Sequence, residues 1–152
     1  NSSVLGFVSM PFRGAYNASK YAIEGLSDTL RLELIDTDIK VSLIEPGPIT
    51  SRFRANALIQ LQTHIDFEGS IHRKKYLGVL KRLNKKGPAV PFTLPAEAVL
   101  KRVIHALEAK NPAPRYYVTF PTYLFGLLKR ILSSRQLDKI LAFSGKDKTE
   151  QS

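Results

Sequence analysis

Ser3-Val-Leu-Gly-Phe-Val-Ser-Met-Pro-Phe-Arg-Gly-Ala-Tyr-Asn-Ala-Ser-Lys20 is the stretch on which the reading of this chain turns. Hydroxyls at Ser2 and Ser3 precede a segment broken by Gly6, Pro11 and Gly14, which reads as a loop. A helical pattern follows, with Tyr16 and Lys20 four residues apart. Residues at that spacing are neighbours on a helix surface. A phenol and an ammonium are then held side by side, with a hydroxyl available from the loop before them. A free phenol gives up its proton only near pH ~10, and an adjacent ammonium favours the phenolate. Positioned proton transfer is worth ~10²–10⁴ in rate. The same pair also arises by chance as a solvated couple on a helix face, so its surroundings must decide.

Working outward, the spacing predicts a helix over Ala15–Ile35, with Ile23, Leu26, Leu30 and Leu34 forming the face turned to the core. Tyr16 and Lys20 lie at the edge of that stripe, where core meets solvent. A second face carries Ala18, Tyr21, Gly25 and Leu32, which suggests a further packing partner and makes this helix a candidate subunit interface. Residues 1–5 read as the end of a buried strand, and Ile39–Ile44 as another, after a turn at Asp36–Asp38. Glu45-Pro-Gly-Pro-Ile-Thr50 follows: Pro46 and Pro48 stiffen the backbone, and Gly47 permits close approach. Strand–helix–strand of this kind belongs to an α/β parallel sheet. Ligands bind such sheets at the loops beyond the carboxyl ends of the strands. The Ser2/Ser3 loop and the Pro46–Thr50 loop both hold that place.

The remainder reads as a helix over 51–66 and a basic amphipathic helix over 71–84, with Tyr76, Leu77, Leu80 and Leu83 on one side. Pro95 is expected at the first position of a helix that runs to about Lys110 on Val99, Val103, Ile104 and Leu107. Arg115–Thr119 is expected as a strand. From Pro121 a helix carries Leu124, Leu127, Leu128, Ile131 and Leu132, with Lys129 and Arg130 on its far face. Core packing is the first expectation for that helix, and contact with a membrane surface the second. Ser134 is expected to cap a last turn bearing Leu137, Ile140 and Leu141. The organisation is one domain over residues 1–144, with a polar tail over 145–152.

Composition narrows the classes. A chain of 152 residues with 43% apolar and 24% charged residues can build one globular core. There is no cysteine, which excludes a disulfide framework, a thiol nucleophile and a thiolate-bound metal. His64, His72 and His105 lack metal-ligand spacing, and no metal site is expected. The net charge is +10, and seven Lys or Arg residues without an acid lie between Ile71 and Lys86. Tyr76 is the lone aromatic in that run, too few for a stacking surface, so nucleic acid is not the expected partner. A solvated face or an anionic lipid surface fits better. The carboxylates show no pairing in sequence that suggests catalysis. The first residues contain no Met, basic leader or apolar signal core, and the chain reads as starting in mid-domain.

Ser3, then Tyr16-Asn-Ala-Ser-Lys20, then a buried strand and Pro46-Gly-Pro-Ile-Thr50, in this order and spacing, closely resembles the short-chain dehydrogenase/reductase family. Tyr-x-Ala-Ser-Lys and Pro-Gly-x-x-Thr are that family's signatures, and the resemblance extends at least from Asn1 to about Thr119. It implies the C-terminal part of a doubly wound Rossmann-type parallel sheet. It also implies that Tyr16 donates or accepts the proton, that Lys20 assists Tyr16 and holds the nicotinamide ribose, and that Ser3 orients the substrate oxygen. Tyr16, Lys20, Pro46, Gly47, Ile49 and Thr50 would line an NAD or NADP cofactor, with Ile49 and Thr50 near its carboxamide. Ser2 is the weaker candidate for the serine, and Ser19 reads as a structural helix residue.

The family's Gly-rich phosphate loop, the residue that selects NAD or NADP, its Asn-Asn-Ala-Gly strand and its further catalytic Asn have no counterpart in residues 1–152. The expectation is therefore that this stretch alone is incomplete, poorly stable and inactive. In the family the segment after the Pro-Gly loop covers the substrate. Here that is Ser51–Pro91, rich in Phe53, Leu58, Ile59, Leu61 and Ile65, which suggests an apolar alcohol, aldehyde or ketone of steroid, retinoid or long-chain type. The remaining expectations are a homo-oligomer joined through the Ala15–Ile35 helix, a cytoplasmic location and peripheral membrane contact. The competing reading is a non-catalytic interaction or membrane-surface module that keeps the fold.

Overall fold

Three stretches of backbone run side by side in the computed structural model, which describes residues 1–85, 87–88 and 90–145. Strand β1 (Leu43–Glu45) pairs in parallel with β2 (Arg115–Tyr117), placing Leu43, Ile44 and Glu45 opposite Arg115, Tyr116 and Tyr117. On the other side of β1 the first residues run extended. Ser2 N donates to Ile44 O at 2.8 Å and Val4 N to Pro46 O at 2.9 Å, the alternate spacing of a parallel ladder. The chain then tightens into a 3-10 turn at Val4–Gly6, so the first strand ends earlier than its apolar residues suggest.

The strand expected over Ile39–Ile44 begins only at Leu43. Its neighbour explains why. Pro112 and Pro114 precede β2 and have no N–H to extend the ladder, and the first bond across is Leu43 N to Pro114 O at 2.9 Å. Ile39 is left 60% exposed. At the other end β2 stops at Tyr117 rather than Thr119.

Six helices surround this sheet among the described residues: α1 (Gly14–Glu33), α2 (Phe53–His64), α3 (Arg73–Asn84), α4 (Glu97–Glu108), α5 (Phe120–Ile131) and α6 (Ser134–Gly145). Pro95 sits one residue before the α4 cap, Ala96, rather than in its first turn. On one face of the sheet α4 packs through Ala98, Val99, Val103 and Ala106 onto Ile44, Tyr116 and Val118. Another cluster, Val4, Leu5, Val8 and Leu141, joins the 3-10 turn to α6 and receives Tyr16, Phe125 and Leu137. The expected polar tail after Gly145 lies outside the described residues.

Two helices are oriented against expectation. In α1 the residues buried are Asn17 and Glu24, while Leu26, Leu30 and Leu32 are exposed. In α5 the inner side carries Thr122 and Gly126, while the exposed Lys129 donates to Phe7 O at 2.5 Å. Leu124, Leu127 and Ile131 of the expected core stripe face outward with Phe120. Burying a Leu or Ile fully is worth about 1.5–3 kcal/mol. Polar side chains hold the inner faces because they have specific partners there, while the outward apolar residues stay largely exposed.

Candidate active site

The site is assembled where the parallel strands end. Asn17 Nδ2 donates to Met10 O at 3.3 Å and so fixes the loop before α1 to its first turn. Tyr16 stands half-buried in that turn, against the Val4–Val8–Leu141 cluster. The Lys20 ammonium lies 5.6 Å from the centre of the Tyr16 ring and donates to Asn1 O at 3.1 Å. Ser19, read as structural, donates to Tyr16 O at 2.7 Å. An ammonium has three hydrogens to give, and Asn1 O takes one.

Ser2 and Ser3 are both buried and point in opposite directions, as neighbours on an extended backbone must. The Ser3 hydroxyl accepts from Leu5 N at 3.2 Å and makes a long 3.5 Å bond to Pro46 O. It therefore caps the 3-10 turn and faces the Pro46–Thr50 loop. Ser2 Oγ lies on the other side, beside Gly6 and Glu24, with no partner. Among the described residues no hydrogen bond joins the Tyr16 hydroxyl to Ser3. The segment 1–3 links the parts: Lys20 bonds one end of it, and Ser3 bonds the loop.

The Pro46–Thr50 loop is held from two directions. Leu94 accepts from Thr50 N at 2.9 Å and donates to Pro48 O at 3.1 Å, and Ile49 pairs with Leu94 in a single parallel bridge. The Ile49 side chain packs onto the cluster of Ile44, Tyr116 and Val118. Gly47 is pressed against the Thr119 and Thr122 hydroxyls. Thr50 is exposed, and among the described residues its hydroxyl makes no hydrogen bond. The Lys20 ammonium and the exposed Thr50 hydroxyl are the groups here that would hold the ribose and carboxamide of a nicotinamide nucleotide.

The segment after the loop folds over this end. Phe53, the first residue of α2, meets the Tyr16 ring edge-on at 5.2 Å. Phe12 has left-handed backbone (φ 59°), uncommon for a bulky residue. Its ring contacts Tyr76 of α3 at 5.9 Å, with Lys75 6.0 Å from its centre. Arg54 donates to Lys85 O at 2.7 Å and to Gly87 O, tying α2 to the end of α3. Two clefts, of about 200 and 170 Å³, lie at the β2 edge and beyond the end of α1, and neither is lined by Tyr16. Among the described residues no three His, Asp or Glu side chains cluster to hold a metal ion, and no helix is long and apolar enough to cross a membrane.

The carboxylates with no pairing in sequence are brought together in space. Arg115 donates to Glu45 Oε1 at 2.7 Å, to Glu24 Oε2, and to both oxygens of Asp28 at 2.7 and 2.8 Å. Arg31 adds a 2.6 Å bond to Asp28. Burial pushes the Glu45 carboxyl up to about 7; the Arg115 hydrogen bond opposes this and the Glu24 charge adds to it. Burial also works against the Arg115 charge, but its bonds to Glu45 and Glu24 prevail and hold the guanidinium more firmly protonated. The Arg31 hydrogen bond, aided by the charges of Arg115 and Arg31 and opposed by partial burial, keeps Asp28 below the usual carboxylate range. Burial, then the Glu45 charge, raises the Tyr117 phenol. A usable signal was an acid, Glu45, ending an otherwise apolar strand; nothing local marked Arg115.

Comparison with known proteins gives the same direction. Residues 1–61 match the family described as short chain dehydrogenase. The chain is 47% identical over 140 residues to an uncharacterized oxidoreductase, YbbO, of Escherichia coli K12, covering 92% of this chain and 46% of that protein. It is 32% identical over 152 residues to an NADPH-dependent 3-dehydrocapnine reductase of Ornithobacterium rhinotracheale, covering 99% and 51%. Against mouse retinol dehydrogenase 16 the identity is 35% over 147 residues, covering 92% and 45%. The chain thus spans about half the length of these relatives.

Proposed function

The chain belongs to the short-chain dehydrogenase/reductase family, and from that premise we propose that it carries the proton-transfer half of an NAD(P)-dependent oxidoreductase acting on an apolar alcohol and its aldehyde or ketone. The observation that carries this reading is Lys20, held beside the Tyr16 ring and bonded to the backbone that precedes Ser3. Tyr16 moves the proton at the substrate oxygen. Ser3 orients that oxygen once its hydroxyl leaves Pro46 O, a change the 3.5 Å length makes easy. Lys20 and Thr50 hold the ribose and carboxamide side of the nucleotide, with the Ile49 backbone beside them and Gly47 allowing close approach. The bound nicotinamide supplies or takes the hydride. One relative is named as NADPH-dependent, which favours NADPH without fixing the choice.

The Phe53 ring against Tyr16 and the Phe12–Tyr76 ring pair support an apolar substrate. The name of one relative, a retinol dehydrogenase, points the same way. In the whole protein, Tyr16→Phe is expected to leave turnover nearly abolished and nucleotide binding intact; turnover at the parent rate would remove Tyr16 from the mechanism. A preference for short polar ketones over long apolar ones would overturn the substrate class.

The outward face of α1, with Leu26, Leu30 and Leu32, supports a homo-oligomer through that helix. Light scattering of a Leu26→Lys, Leu30→Lys variant, expected to be smaller than the parent, tests it. The second reading, a membrane-surface module, is favoured by the exposed Phe120, Leu124, Leu127 and Ile131 on α5. It predicts co-sedimentation with anionic vesicles that Leu127→Glu abolishes.

A further inference from the structure

Helix α1 carries Tyr16 and Lys20, yet its apolar face points away from the sheet. Beyond Lys20, ion pairs provide its anchorage. Glu24 lies one turn past Lys20 and Asp28 one turn further, and both bond Arg115 of β2. The same guanidinium bonds Glu45, which is fully buried and directly precedes Pro46. One side chain therefore joins the helix of the proton-transfer pair to the strand that launches the Pro46–Thr50 loop.

We propose that Glu24, Glu45 and Arg115 are positioning residues, a clamp that holds Tyr16 and Lys20 in register with the Pro46–Thr50 loop. The inference rests on the oxidoreductase reading above. A guanidinium is suited to the task because its rigid fork fixes angles as well as distances, which a lysine ammonium cannot do. Gly6 leaves room for the arrangement: a Cβ there would stand 2.9 Å from Glu24 Oε1 and 2.6 Å from Ser2 Oγ.

The clamp is also poised to respond to protons. The charged groups facing it are Glu24, Asp28 and Arg31 from α1, Glu45 from β1, and Arg115 from β2. The Tyr117 phenol on β2 feels Glu45 and, from α5, Arg130. Three carboxylates face two guanidiniums, an excess of one negative charge. Glu24 Oε1 and Glu45 Oε2 are both buried with no hydrogen-bond partner among the described residues. One proton on Glu45 restores neutrality and gives these oxygens a hydrogen to share. Its loss sets two carboxylates against each other behind the loop.

The test uses the whole protein, with Arg115→Lys and the isosteric Glu45→Gln. Readouts are kcat and KM from pH 5.5 to 9, nucleotide Kd by fluorescence titration, and thermal melting to establish folding. Arg115→Lys is expected to lower kcat about 10- to 100-fold, the scale for a misplaced reacting group, with nucleotide Kd raised only a few-fold. Glu45→Gln is expected to erase a step in log kcat near neutral pH. If Arg115→Lys does not fold, Glu45→Gln decides alone. Folded variants with parental kcat and pH profile, alongside an inactive Tyr16→Phe, overturn the clamp and leave the oxidoreductase reading standing. Turnover retained in Tyr16→Phe overturns both.

Discussion

A methyl group on Gly47 would run into the Thr119 hydroxyl and come within 2.7 Å of the Thr122 hydroxyl, and both threonines are wholly buried. Crowding a packed interior in this way costs about 1–3 kcal/mol. Gly47→Ala is therefore expected to lower the denaturation midpoint of the whole protein and to weaken nucleotide binding. Gly25 is the control. It lies in α1 with nothing within 4 Å of a Cβ. Replacing a helical Gly by Ala is worth about 1 kcal/mol, and Gly25→Ala should raise the midpoint. Equal midpoints for the two variants would show that the Gly47 contact is slack. Residues of this kind were partly legible. Tyr16 and Lys20, and Pro46 to Thr50, stand out because each is a compact run of distinctive residue types within the sequence. Arg115 does not, because its partners Glu24, Asp28 and Glu45 lie 91, 87 and 70 residues away.

Elements were legible in kind and less so in extent or orientation. Each expected helix exists, because a repeat of three and four apolar positions persists whatever the helix packs on. The ends were set by details outside that repeat. At α6 Ser134 is the cap expected from the sequence, and the structure uses Ser133 instead. Gln136 Oε1 accepts from Ser133 N at 2.9 Å, and the Ser133 hydroxyl bonds the same oxygen at 3.0 Å. This is the reach-back half of a capping box. Gln136→Ala is expected to lower stability by about 0.5–2 kcal/mol, the range for a lost cap, while Ser134→Ala changes it little. Urea titration followed by circular dichroism separates the two, and equal losses would return the cap to Ser134. Orientation was illegible for a different reason. Amphipathicity tells that two faces differ, not which of them meets the sheet. In α1 the inner face is fixed by Arg115, and in α5 by the close approach of Thr122 to Gly47 and of Gly126 to the Tyr117 ring, none of which the periodicity can register.

For the molecule as a whole, the parallel α/β arrangement followed from strand–helix–strand order, but the charge inside it did not. The net charge of +10 is a sum over the whole sequence, and it hides a local excess of carboxylates around Arg115. This cluster sets a pH dependence opposite to that of an ordinary ion pair. An exposed glutamate loses its proton near 4.5, and Glu45 in the folded chain keeps its own up to about 7. Between those values the folded state binds more protons than the unfolded one, so stability falls as pH rises. The contribution is complete below about 4.5 and gone above about 7. Asp28 acts in the other sense, since its lowered value removes stability only as pH falls below the carboxylate range. The two windows do not overlap, which makes the first measurable. Urea midpoints of the whole protein, taken from pH 5 to 8.5, are expected to decline up to about pH 7 and to level off above it. In Glu45→Gln the decline should be much shallower, because an amide has no proton to lose. Parallel slopes in parent and variant would mean that Glu45 is already ionised in the folded chain, with Arg115 alone balancing it.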